Sequence, residues 1–260
     1  MRTEGEIMQY IVEVCAGSYQ DCLAAYQAGA ERVELNSALS VGGLTCGIST
    51  LKKVKENTDL QVICMVRPRA GGFCYDWEDV QVMFEDAEML LKHGADGIAF
   101  GFLNQDGTVQ TEYTKQMADK IHDFHGTAVF HRAFDVASDP YDTISKLINC
   151  NIDRILTSGR QTKAIEGIEL IKELQKNYGE QIEILPGSGI NAENVRQILM
   201  ETGVHQIHSS CKGYKNDPTT SRNQVSYSYL DENHVNDYDV VDMELVRKLL
   251  NSVKVISADL

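Results

Sequence analysis

Residues 127–135 read T-A-V-F-H-R-A-F-D and place a basic pair and an acid at the end of an apolar stretch. The first four residues are typical of a buried strand. His131 and Arg132 follow without a turn residue, and Asp135 comes shortly before a helix start at 138–140 (Ser-Asp-Pro). A strand that becomes polar only at its C-terminal end is typical of a central parallel strand whose end faces a ligand. The alternative is a salt-bridged strand end with a structural role.

Two earlier predicted strands carry polar residues at alternate positions. In residues 11–15 and 32–36 the valines and a leucine are expected to face the surrounding helices, which leaves Glu13, Cys15, Glu34 and Asn36 facing inward. Burying a lone carboxylate costs several kcal/mol, so both acids need partners.

The predicted partners are arginines at other strand ends, with two histidines nearby. Arg67 and Arg69 follow the third strand, Arg132 follows the fifth, and His131 and His208 lie at strand ends as well. Such a cluster could bind an anionic substrate and move protons, or it could be an ion network that closes the barrel. The catalytic candidates are Glu13, Glu34, His131, Arg132 and His208, and the substrate-binding candidates here are Arg67, Arg69 and Asp135.

A glycine-rich turn after the seventh strand is a candidate anion site. Gly187-Ser188-Gly189 precedes a helix that Asn191 is predicted to cap, so backbone N–H groups and a helix dipole could face an anion. Thr157 and Ser158 could contribute in the same way after strand six. Plain turn chemistry explains both segments equally well.

Strands and helices alternate along the whole chain, which predicts a parallel sheet. Eight strands in 260 residues, without a linker and without a strand of clear edge character, favour a closed TIM (β/α)8 barrel over an open sheet. We expect one α/β domain over residues 1–260, with an irregular polar loop at about 212–241. Val225, Tyr227 and Tyr229 alternate within that loop and could add a short strand.

Charge and composition narrow the classes of partner. A formal net charge of −14 argues against nucleic acid or anionic membranes as main partners. The acidic N-terminus lacks an apolar leader, and no apolar run approaches the ~18 residues of a membrane span. Seven scattered cysteines without a C-x-x-C motif suggest reduced thiols, so we expect a cytoplasmic protein.

Several of these strand ends together resemble the CutC family of copper homeostasis proteins. The blocks that carry the resemblance are F-H-R-A-F-D at 130–135, R-P-R-x-G-G at 67–72, L-T-S-G at 156–159 and P-G-S-G-I at 186–190. The resemblance covers nearly all of the chain up to about Ser210. It implies a cytoplasmic TIM-type barrel that often self-associates and has a role in copper tolerance.

The resemblance also implies a metal site with a substitution in it. In family members proposed to bind copper, one thiol matches Cys15 and the other falls at the end of strand two, where this chain has Asn36. Cu(I) prefers thiolates and thioethers, so Cys15 would need Cys46, Cys74 or a methionine beside it. Two hypotheses follow: a homeostasis protein that binds Cu(I), or an enzyme that acts on a small anionic substrate by acid/base chemistry.

Overall fold

The computed structural model describes residues 10–258 and has eight strand–helix units in chain order. The barrel strands are β1 (Ile11–Ala16), β2 (Arg32–Leu35), β3 (Gln61–Met65), β4 (Gly97–Phe100), β5 (Thr127–Phe130), β6 (Arg154–Thr157), β7 (Glu183–Pro186) and β8 (Gln206–Ser209). The helices that follow them are α1 (Tyr19–Ala28), α2 (Ile48–Asn57), α3 (Trp77–Lys92), α4 (Thr111–Asp123), α5 (Pro140–Asn149), α6 (Ile168–Tyr178), α7 (Val195–Thr202) and α8 (Met243–Ala258). Among the described helices, none has both the length and the apolar character that a bilayer span requires.

The eight strands form one parallel sheet that curls into a nearly closed barrel, as the sequence predicted. The strand order is β7-β6-β5-β4-β3-β2-β1-β8, so each neighbour in the ladder is paired by backbone hydrogen bonds. Between β7 and β8 the described residues show side-chain bonds in place of a backbone ladder. Gln206 Nε2 donates to Glu183 Oε2 at 3.1 Å, and Ser209 Oγ donates at 2.6 Å to the carbonyl of Ile190, which lies in the loop after β7. This fold places the C-terminal ends of all eight strands around one opening.

The alternation within the strands sorts side chains to two sides of the barrel wall. Val12, Val14, Val33 and Leu35 pack in the large core between strands and helices, as predicted. A second, small apolar cluster lies inside the barrel and consists of Ile63, Met65, Ala99 and Val129. The remaining interior positions are free for polar side chains.

Two helices begin at residues whose side chains cap them, and one of these is the predicted helix start at 138–140. The Ser18 hydroxyl accepts from the Asp21 N–H at 3.1 Å, and an Asp139 carboxylate oxygen accepts the first N–H groups of α5. The prediction for Asn191 was wrong, since α7 begins at Val195. The Asn191 side chain instead accepts N–H bonds inside the turn before the helix.

The polar segment 212–241 is more regular than the sequence indicated. Strand β9 (Lys212–Asn216) pairs antiparallel with β12 (Asp237–Val241), and between them lie the two-residue strands β10 (Ser221–Arg222) and β11 (Val225–Ser226). The Val241 N–H donates to the buried Asp21 carboxylate at 2.8 Å, which anchors the β9–β12 ribbon to α1. The predicted short strand at Val225 exists, although it covers two residues only.

Candidate functional site

A cavity of about 340 Å³ lies at the C-terminal ends of the barrel strands. Its lining comes from nearly every strand end, which is why residues far apart in sequence meet there. The lining residues are Cys15, Glu34, Asn36, Leu39, Gly42, Met65, Arg67, Phe73, His131, Arg132, Leu156, Ser188, Gly189, His208, Ser210 and Lys212.

One corner of the cavity brings together a thiol, a carboxylate and an imidazole. One ligand atom each from Cys15, Glu34 and His208 lies within 4.8 Å of the other two. The Cys15 Sγ is 3.9 Å from Glu34 Oε2, and the Asn36 amide donates to the same carboxylate oxygen at 2.8 Å. These donor atoms are those that a transition-metal ion uses in proteins.

Glu13 lies beneath this corner, inside the barrel. Its carboxylate contacts Arg32 Nε at 2.7 Å, His208 Nδ1 at 2.9 Å and Arg154 at 3.8 Å. Burial alone would raise the pKa of Glu13, but the His208 hydrogen bond and the charges of the two arginines and the histidine lower it to about 2. Glu13 is therefore ionised at neutral pH, and it fixes the orientation of the His208 ring.

The three groups of the metal-ligand corner have shifted protonation equilibria. Burial raises the pKa of the Cys15 thiol and of the Glu34 carboxyl. Burial by itself lowers the pKa of His208, but bonds to Cys15 and Glu13 and the Glu34 charge outweigh it and raise that pKa well above the ordinary value. Both shifts favour the protonated forms of the thiol and the imidazole.

The predicted arginine partners of the two inward carboxylates were wrong, whereas the predicted position of His208 near them is confirmed. Glu13 pairs with Arg32 and Arg154, whereas Arg69 pairs with Asp79 at 2.7 Å outside the cavity. The physical reason is the level of Glu13 along the barrel axis. Glu13 lies in the middle of β1, at the level of the first residues of other strands and not of their C-terminal residues. The signal for Arg32 was present, since it lies two residues before Glu34 and so shares its face.

Arg132 is also paired elsewhere, within a network that ties two loops together. Arg132 Nε contacts Asp135 at 2.7 Å, and Asp135 in turn accepts hydrogen bonds from Thr157 Oγ1 at 2.6 Å and from the Ser158 backbone and hydroxyl at 3.0–3.1 Å. The Arg160 N–H donates to the same carboxylate. The polar groups of this network thus bond to each other, namely those of Asp135, Thr157 and Ser158. Of the network's residues, only Arg132 lines the cavity.

Arg67 and His131 lie together on the side of the cavity away from β1. The terminal nitrogens of Arg67 donate to the carbonyls of Val41, Gly43 and Gly71 at 2.6–2.9 Å. His131 Nδ1 accepts the Ala133 N–H at 3.2 Å. Burial, with the Arg67 charge as the second cause, lowers the pKa of His131 to about 3.

The Gly187–Gly189 turn contributes to the wall of the cavity through two of its three residues. Ser188 and Gly189 line it with left-handed backbones, at φ 86° and 71°. Gly187 lies just behind them, and a Cβ there would come within 2.7 Å of Leu156 and 3.3 Å of His208. Because α7 begins only at Val195, the helix dipole acts farther from the turn than the sequence suggested.

Sequence reasoning missed several lining residues. Met65 ends β3, Phe73 lies in the loop before α3, and Lys212 begins the β9–β12 ribbon and pairs with Asp239 at 3.1 Å. Met65 could have been found, since it lies two residues after Ile63 on the inward face. Phe73 and Lys212 are in irregular segments, for which alternation gives no signal.

An eight-stranded parallel barrel with a thiol–carboxylate–imidazole group at its mouth defines the class: a TIM-barrel protein with a candidate metal-ligand site. The CutC family model matches residues 10–213. A family protein CutC from Treponema denticola is 44% identical over 216 residues, which are 83% of this chain and 87% of the relative. The human copper homeostasis protein cutC homolog is 35% identical over 82% of this chain and 78% of its own length.

The solved structures agree with the sequence relatives. The crystal structure of CutC from Streptococcus agalactiae superposes with a TM-score of 0.73 at 32% identity, and the match covers 78% of this chain and 99% of that one. This chain belongs to the CutC family. The resemblance that the strand-end blocks indicated is thereby confirmed.

Proposed function

We propose that this protein takes part in copper homeostasis by binding Cu(I) at Cys15 and His208. The observation that carries the proposal is the convergence of the Cys15, Glu34 and His208 ligand atoms within 4.8 Å at the cavity. His208 Nδ1 is engaged by Glu13, which leaves Nε2 for the metal. In metal sites of proteins the ligating imidazole is usually held in place by a carboxylate on its other ring nitrogen, as Glu13 holds His208 here.

The donor set fits a soft ion through its thiol, its imidazole and a nearby thioether. Met65 lines the same cavity as Cys15 and offers the sulfur that Asn36 does not. Cys46 is buried in the core behind the strands, and Cys74 is exposed outside the cavity. We therefore assign Cys15 as the single thiolate ligand, with Met65 and His208 as its partners.

A competition titration tests this assignment. Reduced protein is titrated with Cu(I) against a chelator of known affinity, and Cys15→Ala is compared with Cys74→Ala, whose thiol lies outside the cavity. We expect Cys15→Ala to lose at least about tenfold in affinity, because a metal–thiolate bond is lost. Equal affinities in the two variants would end the proposal.

Acid/base enzymology on a small anionic substrate stays a second hypothesis. Its support is that Glu34 and His208 face one cavity and both have raised pKa values, a pattern that acid/base catalysis uses. Self-association and a cytoplasmic location also stay predictions, which sedimentation of the purified chain and cell fractionation would test.

A further inference from the structure

We infer that the cavity has a second binding site, for the carboxylate of a small organic acid, formed by Arg67 and His131 beneath the ring of Phe73. This site shares the cavity with the Cys15–His208 corner, but its two donors are not among the proposed copper ligands, and the inference does not depend on copper binding. It is supported by a buried cation without a counter-ion, two unpaired N–H groups and the apolar lining beside them.

Arg67 is a buried charge that the protein does not neutralise. The residue is only 5% exposed to solvent. Within residues 10–258 it has no carboxylate at ion-pair distance, and its terminal nitrogens bond only to backbone carbonyls. A buried cation without an anion is unfavourable, so a bound carboxylate would stabilise this arrangement.

The two groups also present buried N–H donors that make no well-aligned hydrogen bond within the described residues. These are Arg67 Nε and His131 Nε2. The Tyr75 hydroxyl lies beside the Arg67 guanidinium and is itself without a well-aligned partner. Because His131 Nδ1 accepts the Ala133 N–H, the neutral ring carries its proton on Nε2. Buried polar atoms without partners are rare in native structures and point to a ligand or ion.

Phe73 covers both donors. Its ring centroid is 4.8 Å from that of His131 and 5.2 Å from the Arg67 Cζ. The ring follows Gly71, which is left-handed at φ 91°, and Gly72, around which a Cβ would find open space. A carboxylate reaches the two N–H groups only if this ring moves, and we assign that movement to the exposed Gly71–Gly72 pair, whose backbone has the widest range of allowed conformations.

The chemistry of the lining selects the class of ligand. Two N–H donors match the two oxygens of a carboxylate. Around them lie the apolar side chains of Leu39, Met65 and Leu156, which suit a short hydrocarbon body. A cavity of about 340 Å³ is in the range of small-molecule sites.

The test is a titration of metal-free protein at pH 7 with acetate, butyrate and succinate. Sodium chloride and sodium phosphate at the same ionic strength and 1-butanol, which has no carboxylate, serve as controls. Binding is followed by NMR chemical shifts and by the midpoint of thermal unfolding. We expect at least one carboxylate to bind more tightly than every control. Arg67→Met should weaken that binding at least about tenfold, through loss of a charge-assisted hydrogen bond.

Two further variants make the result decisive. Arg69→Met removes an arginine of the same loop that pairs outside the cavity, and carboxylate affinity should stay within about twofold. His131→Phe removes the second donor and keeps the ring, so it reports on the site even if Arg67→Met does not fold. Carboxylate binding that is absent, equalled by phosphate or chloride, or unchanged in His131→Phe would overturn the inference.

Discussion

Replacing Glu13 with glutamine tests whether the ionic network inside the barrel stabilises the fold. The Glu13 carboxylate is 1% exposed and contacts Arg32, His208 and Arg154. Glutamine keeps the shape and removes the charge. Two buried arginines then lose the carboxylate that lies between them.

Two independent estimates give the size of the effect. A pKa lowered from 4.5 to about 2 corresponds to about 3 kcal/mol of stabilisation at pH 7. Removing one partner of a buried ion pair typically costs about 3–5 kcal/mol. Because domains of this kind are stable by about 5–15 kcal/mol, Glu13→Gln should still fold but with a much lower free energy of unfolding.

The assay is urea unfolding followed by circular dichroism at several pH values. The matched control is Glu88→Gln, since Glu88 also has a pKa of about 2 but lies on the surface between Lys92 and Lys120. Since the folded pKa of Glu13 is depressed, its stabilisation is present above pH 4.5 and disappears as the pH falls toward 2. The gap between wild type and Glu13→Gln should therefore close in that window. If both variants unfold at the same urea concentration at pH 7, the network does not stabilise the fold as argued.

Three further predictions concern the cavity. The pKa of His131 is lowered to about 3 in the folded protein, whereas in the unfolded chain the histidine binds a proton near pH 6.5. The free energy of unfolding of the wild type should therefore fall as the pH drops from 6.5 toward 3. Urea unfolding of His131→Phe should show a smaller fall over the same range. The free energy of unfolding of Gly43→Ala should be at least about 1 kcal/mol lower than that of Gly203→Ala. Both glycines have left-handed backbones, but only at Gly43 would the added Cβ clash with Asn36 Oδ1. Equal free energies of unfolding would contradict this. Cu(I) affinity should rise between pH 6 and pH 8, because Cys15 and His208 both have raised pKa values and both must release a proton on binding the ion. A chelator competition that is flat with pH would exclude ligation by these two groups.

The barrel could be predicted because its signals are local. Short apolar runs, alternating with polar residues only in β1 and β2, mark the strands, and capping residues such as Ser18 and Asp139 mark helix starts. Once eight strand–helix units are counted, the general rule for parallel barrels places the strand ends at one opening. The convergence of Glu34, His131 and His208 on one cavity follows from that rule.

The pairing of charged side chains inside the cavity could not be predicted. It depends on the register between neighbouring strands and on contacts made by the loops. Arg67 turns to the carbonyls of Val41 and Gly43, which belong to the loop after β2, and no local pattern announces such a contact. Alternation places Arg32 on the inward face, but only the register of β1 against β2 puts it level with Glu13. The ribbon that supplies Lys212 pairs strands 20 or more residues apart, beyond the reach of a local pattern.

The barrel wall is joined differently at one of its eight junctions. Seven junctions are held by main-chain hydrogen bonds, which a substitution removes only if it introduces proline. The β7–β8 junction instead relies on the side chains of Gln206 and Ser209. Local opening of the barrel should therefore occur mainly at this junction. In hydrogen exchange, the amide hydrogens of β7 and β8 should exchange with solvent before those of the other barrel strands. Since β8 stays paired to β1, opening this junction would separate His208 from the Gly187–Gly189 turn and leave its contact with Glu13 intact, so the cavity would widen on the side of that turn.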